Sequence, residues 1–233
     1  MASVLERWSP VTDDFTIVNV PIDQAVTAYC AWTRRLGHSF SKSSFKDSID
    51  TAFASLTPLS MSMTKKLFVS VGDEWTAFFQ NGTQGSDPTA GGHQLAMELG
   101  VIGMRICATP SDYLWQAVMW EVYAPQSLGG DEFGYRRNLA VVNDGGRWHF
   151  DNTGAPYPFE QQLRYSLRRK RDRFDRSLLH QYLREAAVNP YDRDVLSVSA
   201  DRPIVKLEVS NPHDPVTRYS SYSYAEAGAL HKA

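Results

Sequence analysis

The stretch FGYRRNLAVVNDGGRWHFDNTGAPYPFE, residues 133–160, reads as two strands, 135–143 and 147–151, joined at Asp144-Gly145-Gly146. Apolar and polar positions alternating on both sides of an Asp-Gly turn are the pattern of an antiparallel hairpin. Strand geometry then sends Trp148 and Phe150 to one face and Arg147 and His149 to the other. The segment GAPYPFE leads into what the spacing predicts as one long helix over 159–187. Its buried stripe is Leu163, Leu167, Phe174, Leu178 and Tyr182, with Arg164, Arg168, Arg169, Arg171, Arg173 and Arg176 in rows beside it.

Outward from the hairpin, the preceding segments alternate between helical and strand patterns. Ile22, Val26, Tyr29, Thr33 and Leu36 share one helical face after Pro21, and Gly37 supplies a stop. A second helix is expected around Ile49, Phe53 and Leu56, with Ser44 and Asp47 in capping-box spacing and Pro58 beyond the end. LFVSV-GDE-WTAFFQ reads as a hairpin closed by Asn81-Gly82. A third helix follows, with Asp87 as its cap and Pro88 at its first position, and its apolar residues Leu95, Met97, Leu99 and Val101 fall on more than one side. Strands are expected over 104–109 and 114–123. The second is apolar on both faces and so belongs in mid-sheet with both sides covered. One more strand candidate covers 204–209, and the Ser/Tyr-rich residues 211–233 read as a loosely held tail. The organisation is a single α+β domain over 1–210, a mainly antiparallel β-sheet flanked by helices.

Composition excludes several classes. With 233 residues, 42% hydrophobic and 21% charged, the chain can bury a sizeable core and is not of disordered type. Its apolar runs are much shorter than the roughly 20 residues that span a bilayer, so no membrane partner is expected. The first residues carry no basic stretch leading into an apolar one, so the expected location is cytoplasmic. Cys30 and Cys107 stand apart in apolar surroundings and read as small buried hydrophobes. The net charge of −2 hides an asymmetry. Residues 164–176 hold seven cations against two aspartates, a net of +5, which leaves −7 for the rest.

Candidate chemistry is sparse. The loop over 82–92 precedes a helix but lacks the Gly-Lys-Ser/Thr ending of a phosphate cradle, so Gly91 and Gly92 read as positions of close packing or of a flexible helix start. Glu121 on an apolar strand has the makings of a general acid or base, but pairing with Arg136 or Arg137 is the stronger reading. His149 lacks a partner at readable spacing, and an enzyme site would have to assemble around Glu121, His149 and Tyr157. His38, His93, His180, His213 and His231 are too scattered to imply a metal, and no cofactor is expected. Seven cations within thirteen residues suit phosphates, which keeps nucleic acid as an alternative partner. The acidity of the remaining chain favours a protein with an acidic surface. The expected partner-binding residues are therefore Arg147, His149, Arg164, Arg168, Arg169, Arg171 and Arg173.

Two N-terminal helices, Gly72-Asp73-Glu74-Trp75 in a hairpin, a buried Trp115/Trp120 strand and Asp144-Gly145-Gly146-Arg147-Trp148 together resemble the general build of immunity proteins from bacterial toxin systems. The resemblance is one of layout across residues 15–183 and rests on no family-defining motif. It implies a small cytoplasmic protein that acts by binding and occluding another protein. The expected function is therefore that of a non-catalytic protein-binding module.

Overall fold

The computed structural model describes residues 4–86, 88–186, 188–192, 195–210 and 219–232. Asp87, the expected helix cap, and His213 lie outside the described residues.

The architecture grows from one sheet. Strands β1 (Asp14–Val18), β2 (Ser39–Phe45), β4 (Lys65–Val71), β5 (Trp75–Gln80), β6 (Gly103–Ala108), β7 (Ala117–Tyr123), β8 (Tyr135–Asp144), β9 (Arg147–Gly154) and β11 (Ile204–Ser210) pair antiparallel in the order β2-β11-β4-β5-β1-β6-β7-β8-β9. The two-residue β10 (Leu196–Ser197) adds to β4, and β3 (Leu59–Ser60) pairs separately with β12 (Ser221–Tyr222). This is the expected α+β fold with a mainly antiparallel sheet.

Period-two alternation sorts the strand side chains into two cores. Phe15, Ile17, Phe79, Ile106, Trp120 and Leu139 point to one face, where α1 (Val4–Arg7), α3 (Ile49–Ala54), α5 (Arg176–Ala186) and α6 (Tyr224–Ala229) pack. Val18, Phe68, Phe78 and Tyr123 point to the other, under α2 (Ile22–Arg35) and α4 (Pro88–Leu99). Gly91 and Gly92 lie inside α4 and let it approach the sheet. A Cβ at Gly92 would sit 2.3 Å from Thr16 Cγ2, and one at Gly91 would sit 2.6 Å from Phe78.

The quoted hairpin forms, with Val141 opposite Phe150 and Asp144 opposite Arg147, so that Asp144 belongs to the strand rather than the turn and the second strand runs on to Gly154. Gly145 and Gly146 both take positive φ, 58° and 90°, which the two-residue turn demands and side chains resist. Asn143 Oδ1 accepts from the Gly146 N–H at 2.8 Å.

Several expectations are corrected. Residues 14–18, which the sequence reading passed over, form the central strand β1, buried at every position. The serines after Gly37 belong to an exposed edge strand, β2, and the cap of α3 is Ser48, whose hydroxyl accepts from the Thr51 N–H at 3.2 Å. Trp115 lies outside β7 and is 55% exposed, and Ala117 and Met119 on the same face are only half-buried, so one side of β7 stays partly open.

The single helix expected over 159–187 is broken. Two 3-10 turns, Gln162–Ser166 and Lys170–Asp172, precede α5, and the backbone is extended at Leu167 and Arg169. Four adjacent cations at 168–171 have no acidic residue one helical turn away on the N-terminal side, so a helix there would stack like charges. Asp175 instead starts a new helix by accepting the Leu178 N–H at 2.9 Å. Leu163 and Leu167, placed on the buried stripe by periodicity, are 90% and 41% exposed.

Residues 219–232, expected to be loosely held, fold back onto the domain. Ser223 and Glu226 form a capping box on α6, and the Tyr224 hydroxyl donates to Phe53 O at 2.9 Å. The Leu114 N–H donates to His231 O at 2.8 Å.

Candidate functional site

The hairpin delivers the chain to its basic segment through a buried lock. Arg137 on β8 sits inside the protein, where an unpaired guanidinium would be costly, and it meets Glu160 at the end of the connector. Both side chains are 0% exposed. Arg137 Nε and Nη2 donate to the two Glu160 oxygens at 2.8 and 2.6 Å. Arg137 Nη1 donates further to Asn152 Oδ1 at 2.7 Å and Thr153 O at 2.8 Å. Glu160 also accepts from the Tyr157 N–H and the Tyr165 hydroxyl, at 2.8 and 2.7 Å. Tyr157 and Phe159 stack together and pack on Trp120.

From this lock the loop 161–171 is pinned at intervals. Tyr165 is buried beneath it, Arg164 donates to Asp172 O and Asp175 Oδ2 at 2.9 and 2.8 Å, and Arg173 donates to Leu167 O at 2.8 Å while lying over the Phe150 ring. Arg164 and Arg173 therefore brace the loop. Arg168, Arg169, Lys170 and Arg171 are exposed around Leu163 and Leu167. Among the described residues, Arg171 forms an ion pair with its neighbour Asp172, at 3.6 Å.

The expected partner-binding residues consequently divide between two faces. The loop packs over Trp148 and Phe150, whereas Arg147 and His149 project from the opposite side of the hairpin. His149 shares a row there with Val142 and Ala117.

Glu121 pairs with neither Arg136 nor Arg137. It lies 3.5 Å from Arg105, accepts from the Tyr123 hydroxyl at 2.8 Å, and faces Arg105 across β6 and β7. Arg136 lies over the Tyr157 ring instead. Glu121 and Tyr157 both line a cavity of about 690 Å³ beside Asn138, whose buried Oδ1 has no hydrogen-bond partner among the described residues, but His149 is not part of that wall.

A second constellation escaped the sequence reading, because its members come from segments that lie about a hundred residues apart. Asp14 opens β1, and Asp13 lies in the turn just before it. Asp14 is held by Arg105 through two bonds of 2.9 and 2.6 Å. Asp13 is buried, accepts from the Ser9 hydroxyl at 2.6 Å, and forms no salt bridge among the described residues. Burial pushes its carboxyl up to about 6 against the opposing hydrogen bonds of Ser9 and Tyr113 and the charges of Arg176 and His231. Tyr113 and His231 stack with centroids 4.9 Å apart. Cys107, beside them, is buried and its thiol pushed well above the ordinary range, and the Cys30 thiol is also raised by burial.

Among the described residues, no group of three or more His, Cys, Asp or Glu is placed to hold a metal, and no helix is long and apolar enough to cross a membrane. No family model, curated protein or solved structure matches the chain.

Proposed function

We propose that this chain is a non-catalytic protein-binding module, an immunity-type protein of the bacterial cytoplasm that binds and neutralises a toxin through the loop 161–171. The observation that carries this reading is Leu163, 90% exposed on a loop whose backbone is pinned by Tyr165, Arg164 and Arg173. A pre-ordered loop gives up little conformational entropy on docking. Its apolar tips, Leu163 and Leu167, suit a shallow apolar groove, and Arg168, Arg169, Lys170 and Arg171 suit an acidic rim around it. Arg147 and His149, on the other side of the hairpin, extend the interface only for a partner that wraps the β9 edge.

Quantitative cross-linking in the native cell tests the proposal by comparing the wild type with Leu163→Glu and with Arg168→Glu/Arg169→Glu. The expected result is loss of one protein partner in both variants, with a cross-linked site rich in Asp and Glu. Cross-links that persist unchanged in both variants refute it. A nucleic-acid partner lost with the arginines but retained in Leu163→Glu would also refute it and favour phosphate binding.

A further inference from the structure

The described residues place a buried carboxylate without an ion-pair partner against a wall of aromatic rings. Asp13 and Asp14, with Tyr113, Trp115 and His231, line a cavity of about 360 Å³ at the end of β1 and β6. Trp115 stands at its exposed side, Tyr113 and His231 stack within it, and the C-terminal segment supplies His231, whose Nε2 lies 2.6 Å from Thr83 O. Asp13 also lines an adjoining cavity of about 690 Å³, where the Tyr191 hydroxyl is buried with no partner.

A buried carboxylate is normally neutralised by a fixed cation. Arg105 serves Asp14 in this way, but among the described residues no cation forms a salt bridge with Asp13. Arg176, which faces Asp13 from α5, donates instead to Ala108 O and Thr109 O at 2.6 and 3.3 Å. Protonation neutralises Asp13 below about pH 6, and above it a cation entering the cavity supplies the pairing that the described residues do not. Aromatic faces beside a carboxylate attract an organic cation, because the ring quadrupole and the carboxylate act in the same direction. A metal ion would need more ligating side chains than converge here among the described residues.

We propose that this cavity binds a small free alkylammonium ion, its nitrogen on the Asp13 carboxylate and its chain against Trp115 and Tyr113. The site is separate from the loop 161–171, so it stands or falls independently of the protein-binding proposal. The cation requires ionised Asp13. Among the described residues, the titratable and charged groups around that carboxyl are Asp14 on β1, Cys107 and Arg105 on β6, Tyr113 before β7, Arg176 on α5, Tyr191 after α5 and His231 in the C-terminal segment, and Glu6 on α1, Asp112, Arg171 and Asp175 line the adjoining cavity. With the Asp13 carboxyl at about 6, binding weakens by about tenfold for each pH unit below that point.

The test is calorimetric titration of the full chain with n-butylammonium chloride, with n-butanol as the neutral isostere. The expected result is saturable binding of the ammonium at pH 7.5, at least about tenfold weaker binding of butanol, and at least about tenfold weakening in Asp13→Asn and in Trp115→Ala. Both variants are checked for cooperative unfolding, and Trp115→Ala serves if Asp13→Asn alters the fold. Equal binding of butanol, unchanged affinity in folded Asp13→Asn, equal affinity at pH 5 and 7.5, or no saturable binding overturns the proposal. Binding of Nα-acetyl-lysine amide without binding of butylammonium overturns the free amine as occupant.

Discussion

Replacing Asp13 by Asn removes a carboxylate that the fold holds against its preference. Its carboxyl ionises near 6 in the folded chain and near 3.8 when unfolded. Between these values the folded state binds more protons, so stability falls as pH rises. At 1.36 kcal/mol per pKa unit, ionising Asp13 costs the folded state about 3 kcal/mol, present in full above pH 6 and absent below pH 3.8. An asparagine keeps the shape and the bond from Ser9 without the charge. The measurement is urea unfolding of wild type and variant at pH 4, 5, 6 and 7.5 without added amines. The stability difference, variant minus wild type, is expected to grow by about 2.5 kcal/mol across that range, mostly between pH 4 and 6. Taking the difference cancels the opposite trend of carboxylates such as Asp50 and Asp192, whose arginine partners hold them below the ordinary range. A difference that stays flat from pH 4 to 7.5 would refute the reasoning.

Arg137→Met leaves Glu160 buried without its cation and is expected to cost about 3–5 kcal/mol by chemical denaturation, while Arg137→Met/Glu160→Met recovers part of the loss. A double variant no more stable than the single one would contradict this. Gly92→Ala drives a methyl into Thr16 and should destabilise by about 1–3 kcal/mol, read as a lower melting temperature. Leu163→Ser is expected to change stability by less than about 0.5 kcal/mol while weakening partner binding, since the side chain it truncates touches mainly solvent.

Legibility in the sequence followed the range of the interaction. The turn at Gly145 and Gly146, the hairpin around Gly72 and the helix over Ile22–Arg35 depend on residues within a few positions of one another, and all three form where expected. The central strand β1 was missed although Pro10 and Pro21 bracket it, because its five residues are too short a run to stand out and depend on β5 and β6 for definition. The helix over 159–187 failed for the opposite reason. Its apolar spacing was local and real, but Glu160, buried by Arg137 from another strand, draws Tyr165 inward and turns Leu163 out. The basic residues were found, although their division between two faces was not. Asp13 was not found at all.

Sequence alone determined the α+β class, the antiparallel hairpin with its two sheet faces and the concentration of positive charge over 164–176. These rest on alternation, turn stereochemistry and composition, which are properties of neighbouring residues. Tertiary structure decided which cations brace the loop and which face outward, where Glu121 finds its arginine, and that Tyr113 and His231 meet beside Asp13. Those outcomes depend on pairings across tens to hundreds of residues, and burial sets their energies only after the sheet has brought the partners together.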